Sequence, residues 1–84
     1  MNKESAVIIF NITKRNFSVD LEVPLNITVN ELVNGLNTAY ELGIDTSDIK
    51  NCYLKAENPI ALLKGNKTLA EFGLRNGSVI NFTE

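Results

Sequence analysis

From Ala6 to Thr13 the chain is β-branched and aromatic, and Ile8, Phe10 and Ile12 share one face of an extended segment while Asn11 and Thr13 fall on the other. Lys14-Arg15-Asn16 interrupts it, and Phe17, Val19, Leu21 and Val23 then alternate with Ser18, Asp20 and Glu22 in a period of two. These segments read as a β-hairpin with Lys14-Arg15 at a solvated tip. Its second strand has one dry and one wet face, which suits an antiparallel sheet covered on one side only. Pro24 ends that strand, and Thr28-Val29-Asn30-Glu31 has the residues of a reciprocal capping box. Val29, Leu32, Val33, Leu36, Ala39 and Tyr40 recur at helical spacing, Ile27 can staple to Leu32, and Gly43 suits a left-handed cap. The pattern predicts a helix from about Val29 to Leu42, in which Gly35 costs about 1 kcal/mol relative to Ala and packing must outweigh it.

Ile44 and Ile49 bracket Asp45-Thr46-Ser47-Asp48, whose short side chains suit a single capped turn rather than a calcium loop, because the further acidic and glycine positions of such a loop are missing. Cys52 to Glu57 reads as a third strand with Leu54 and Ala56 inward, Asn58-Pro59 as a turn, and Ile60 to Leu63 as a short fourth strand. Leu69, Phe72 and Leu74 suit a helical turn against the core. Asn76-Gly77 makes a tight turn, and Ser78 to Thr83 is a last strand with Ile80 and Phe82 inward. No internal repeat or low-complexity stretch is evident.

At 84 residues the chain has room for one core, and residues 5–84 are expected to form a single domain. An apolar share of 44% against a charged share of 21% is that of a folded protein rather than a disordered one. The net charge of −2 provides no positive field for phosphate backbones, so nucleic-acid binding is not expected. Cys52 is the sole cysteine and there is no histidine, which leaves no disulfide, no zinc set and no near-neutral base. Cys52 itself fits a buried small hydrophobe. No catalytic residue, metal or cofactor is expected. The apolar run from Ala6 to Phe10 is far too short for a signal core or membrane span, and a cytoplasmic protein without direct membrane insertion is the expectation.

The strand Phe17-Ser18-Val19-Asp20-Leu21-Glu22-Val23-Pro24 before a Thr28-capped helix, and the stretch Lys67-Thr68-Leu69-Ala70-Glu71-Phe72-Gly73-Leu74-Arg75-Asn76-Gly77-Ser78-Val79-Ile80, resemble the second strand and the closing signature of ubiquitin-like proteins. The resemblance implies an α+β, β-grasp fold with a mixed four- to five-stranded sheet and one main helix on one face. Within that superfamily the spacing from Tyr53 to Leu69 is similar to that of the YukD and EsaB group, accessory proteins of type VII (WXG100) secretion systems in Gram-positive bacteria. This implies an adaptor that docks on a membrane-anchored component such as its ATPase or pseudokinase subunit, or that acts in its regulation. Ubiquitin and the sulfur carriers act through a C-terminal Gly-Gly, whereas this chain ends Thr83-Glu84, so conjugation is the disfavoured alternative. A self-associating module is a further alternative.

In the β-grasp arrangement the first, last and third strands are neighbours. With Ile8, Phe10, Ile80 and Phe82 inward, alternation turns Val7, Ile9 and Val79 outward, with Tyr53 on the adjacent strand and Lys55 and Asn81 at a polar rim. Val7, Ile9, Tyr53 and Val79 read either as a protein-binding patch or as the scattered exposed hydrophobes that any domain carries.

Overall fold

The computed structural model describes residues 4–48 and 52–83. Ile49 and Glu84, both used in the sequence reading, lie outside the described residues. Strand β1 (Ser5–Ile12) and strand β2 (Phe17–Pro24) form the antiparallel hairpin in register Ser5 with Pro24 through Ile12 with Phe17. The connection is a short 3-10 turn, Thr13–Arg15, closed by Asn16 in the left-handed conformation, which asparagine tolerates. Helix α1 (Val29–Tyr40) follows, then β3 (Leu54–Glu57), β4 (Ala61–Leu63) and β5 (Val79–Phe82). The five strands form one sheet in the order β2-β1-β5-β3-β4. β5 runs parallel to β1 and antiparallel to β3, so the sheet is mixed and the helix is part of the crossover between the parallel neighbours β1 and β5.

The core forms where the inward parity of the strands meets the apolar face of α1. Ile8, Phe10, Ile12, Leu54, Leu63 and Ile80 from the sheet, and Val29, Leu32, Val33 and Leu36 from the helix, are all buried, with Leu69 and Leu74 closing the side. Tyr40 sits against both Phe10 and Phe17, with ring centroids at 5.4 and 5.7 Å, and so joins the helix end to the hairpin. Ala39, counted with the apolar face by its spacing, is exposed. Ile60, expected to open the fourth strand, stands in the turn before β4 and is 91% exposed.

The helix ends earlier than its spacing predicts. Glu41, not Gly43, takes the left-handed C-cap position, and Leu42 donates its amide to the Asn37 carbonyl. Two contacts bring the chain back. The Asn37 side chain brackets the backbone of Ile44, donating to its carbonyl and accepting from its amide, each at 2.9 Å. The Arg15 guanidinium donates to the carbonyls of Tyr40 and Glu41 at 2.6 and 2.7 Å. The hairpin tip is therefore a helix cap as well as a solvated turn, and it satisfies carbonyls that a helix terminus leaves open.

The capping box at Thr28 is formed, with the Glu31 amide donating to the Thr28 hydroxyl at 3.1 Å and the Thr28 amide donating to the Glu31 carboxylate at 2.9 Å. A second box, unforeseen in the sequence, stands at Thr68 and Glu71 with the same reciprocal bonds at 3.2 and 2.8 Å. The two segments, Asn26-Ile27-Thr28-Val29-Asn30-Glu31-Leu32 and Asn66-Lys67-Thr68-Leu69-Ala70-Glu71-Phe72, share Asn, Thr and Glu at equal spacing, so the same capping motif occurs twice. They meet in an antiparallel bridge between Thr28 and Thr68, where Val29 donates to Lys67 and Leu69 donates to Ile27, both at 3.0 Å. After Thr68 the backbone bonds join residues three to five apart, including Phe72 to the Thr68 carbonyl four residues back, so Leu69, Phe72 and Leu74 stand in a run of successive turns against the core.

Candidate protein-binding face

Because α1 packs on one face of the sheet, the opposite face carries the outward parity of every strand. Val7 and Ile9 on β1 and Val79 on β5 all take that parity, and Ile9 and Val79 are direct partners in the parallel register. Val7 is 47% exposed, while Ile9 and Val79 are half-buried. The structure thus brings three of the four residues read as a patch into one cluster. Tyr53, also half-buried, precedes β3 and lies apart. Val79 pairs with Glu57 and Asn81 with Lys55, so at the usual rise of a strand Tyr53 stands about 13 Å along the sheet from the Val79 row. A polar row separates them: Asn11 donates to Asn81, and Asn81 donates to Glu57, both at 2.9 Å. Lys55 and Asn81 do lie at the edge of the apolar cluster, as the polar rim required.

Cross-strand register adds residues that periodicity along one strand does not reveal. Val7 faces Glu22 and Ile9 faces Asp20 on β2, while Val79 faces Glu57 on β3. The cluster is bordered by exposed carboxylates on both sides. The wet face of β2 was readable in the alternation of Asp20 and Glu22, but their placement beside Val7 and Ile9 depends on pairing.

The remaining candidate chemistry has structural roles. Cys52 is buried. The Ser47 hydroxyl and then the Ser47 amide donate to the Asp45 carboxylate and hold its pKa below the ordinary value, which marks a local turn. Ser78, fully buried, donates to the Asn58 carbonyl at 2.6 Å and accepts from the Arg75 amide at 3.0 Å, tying the turn after β3 to the one before β5. Among the described residues no three His, Cys, Asp or Glu side chains gather as a metal site would need.

A concavity of about 690 Å³ lies elsewhere, beside the start of α1, lined by Asn30, Asn34, Thr46, Cys52, Lys64 and Lys67 among others. Two nearby helix-start amides are already committed, Val29 to the Lys67 carbonyl and Asn30 to the Gly65 carbonyl, so they are not free to hold an anion. A concave site suits a small ligand, whereas a protein partner needs an apolar cluster with a polar border, which the sheet face has.

The mixed sheet grasping a single helix is an α+β, ubiquitin-like β-grasp fold. Among solved structures it is similar to a ubiquitin-like domain from tubulin-binding cofactor B (TM-score 0.77, 17% identity, 99% of this chain and 92% of that one). It is also similar to the C-terminal ubiquitin-like domain of mouse tubulin-specific chaperone e (0.72, 12%, 99% and 89%) and the UBL domain of Plasmodium falciparum Dsk2 (0.60, 16%, 93% and 97%). At such identities the likeness is one of fold. No curated protein matches the sequence. Residues 7–81 match the family described as "WXG100 protein secretion system (Wss), protein YukD", and the chain belongs to that family. It is therefore a ubiquitin-like protein associated with WXG100 secretion. Among the described residues no helix is long and apolar enough to cross a membrane.

Proposed function

We propose that this chain is a non-catalytic cytoplasmic adaptor of the WXG100 secretion system, which docks through Val7, Ile9 and Val79 on a membrane-anchored component, its ATPase or pseudokinase subunit. The observation that carries this reading is the apolar cluster at the centre of the uncovered sheet face, in a chain whose family is tied to the secretion system. The core is complete without these side chains, and α1 covers only the other face. Truncating a central residue of such a cluster costs about 2 kcal/mol or more of affinity where it is a hot spot.

The test is secretion of a WXG100 protein by cells carrying variants at matched intracellular level. Ile9→Ser with Val79→Ser is expected to impair export, and Cys52→Ser and Tyr53→Ala to leave it normal. Because Ile9 and Val79 are half-buried, the pair Ile9→Thr and Val79→Thr, which keeps a branched Cβ, guards against a folding defect. Normal export from folded serine and threonine pairs removes this face from the mechanism.

A further inference from the structure

We infer that the partner seated on this face is a basic one, a protein surface that presents aliphatic side chains bordered by lysine or arginine. The inference rests on the docking reading above and specifies the chemistry of its partner. Each member of the apolar cluster has a carboxylate as its immediate cross-strand neighbour: Glu22 beside Val7, Asp20 beside Ile9 and Glu57 beside Val79. Such antiparallel partners place their Cβ atoms about 4.5 to 5.5 Å apart, so no partner can cover the aliphatic groups without also approaching the acids. The carboxylates stand on both flanks, on β2 and on β3.

Among the described residues no cation neutralises any of the three acids. Glu22 accepts from the Ser5 hydroxyl at 2.8 Å and Glu57 accepts from Asn81 at 2.9 Å, both uncharged donors, and among the described residues none of the three forms an ion pair. The nearest cation in the sheet register is Lys55, one row beyond, opposite Asn81. In the strand register three carboxylates stand against one ammonium, with the Arg75 guanidinium beyond them at the Asn58 turn, and the chain's net charge of −2 has the same negative sign. An uncharged or acidic surface closing here would strip water from carboxylates without replacing it. Lysine or arginine would meet them with charge-assisted bonds, speed encounter and exclude wrong partners. The same sign argues against nucleic acid and anionic lipid as occupants.

The full chain, isotopically labelled, is titrated with two synthetic amphipathic helices that share one leucine stripe and differ only in bordering it with lysine or with glutamate. The lysine peptide is expected to shift the amide resonances of Val7, Ile9 and Val79. Its binding should fall about tenfold in about 0.5 M salt or in the variant Asp20→Asn, Glu22→Gln, Glu57→Gln, whose amides keep acceptors for Ser5 and Asn81. Equal binding of both peptides, or shifts that map elsewhere, overturns the inference. Export separates it from the docking reading. Loss of export in both the Ile9/Val79 serine pair and the folded amide triple variant supports the basic partner. If the serine pair loses export while the amide triple exports normally, docking stands and the acidic border falls. If both export normally, both fall.

Discussion

Leu36 is 5% exposed on the inner face of α1 and belongs to the core shared by helix and sheet. Leu36→Ala is therefore expected to destabilise the fold by about 2 to 5 kcal/mol in chemical denaturation, because the loss of transfer energy is compounded by a cavity. Phe82, inward by alternation, is only half-buried at the end of β5, so Phe82→Ala should cost less than the Leu36 change. Glu71 carries a pH dependence. The Thr68 amide and then the Thr68 hydroxyl donate to its carboxylate and hold its pKa below the ordinary 4.5. A depressed carboxylate pKa contributes stability that is complete above the unfolded value and is lost as pH falls through the folded one. Thermal midpoints followed from neutral pH down past 4.5 should fall less steeply for Glu71→Gln than for the native chain, and parallel curves would show that this bond adds nothing to acid sensitivity.

At the scale of elements, α1 is fixed at both ends, in part by residues from outside it. Its start is locked by the Thr28 box and by the bridge to Thr68, and its end by Arg15 from the hairpin and by Asn37 folding back on Ile44. Arg15→Ala should remove two charge-assisted bonds to the last carbonyls and lower stability by about 1 kcal/mol, and helical amide exchange should speed up near Tyr40 before it does near Leu32. A uniform change along the helix would instead mean that Arg15 acts through the hairpin. The two Thr-Glu boxes show how a local motif takes different fates. At Thr28 an apolar period of 3.6 follows and a helix grows, while after Thr68 the Gly73 in the left-handed region ends the turns.

For the whole molecule, the hydrogen-bonding order places β1 and β5 in the interior of the sheet and leaves β2 and β4 as edges. β1 is bonded on both sides and carries fully buried Ile8 and Phe10, so opening it requires unfolding the core. The slowest amide exchange is expected in β1 and β5, with protection lower in β4, which has only three residues and one neighbour. Slowest exchange in β4 would contradict this account of cooperativity. A radius of gyration of 11.9 Å agrees with the roughly 12 Å of a compact chain this long, so the core and the outer sheet face belong to one body.

The order of elements, the inward residues Ile8, Phe10 and Ile12 of β1 and Leu54 and Ala56 of β3, and the Thr28 cap were legible because each depends on spacing along the chain: two for a strand, 3.6 for a helix, three for a capping box. Val7, Ile9 and Val79 could be assigned outward for the same reason. Which outward residues touch one another is a matter of register between strands up to 70 positions apart, as with Ile9 and Val79, and no local period encodes it. Tertiary structure therefore separated Tyr53 from the cluster and set Asp20, Glu22 and Glu57 around it. It likewise ended the helix before Gly43, with Glu41 in the left-handed region and the carbonyls of Tyr40 and Glu41 bonded to Arg15, which the linear sequence keeps some 25 residues away.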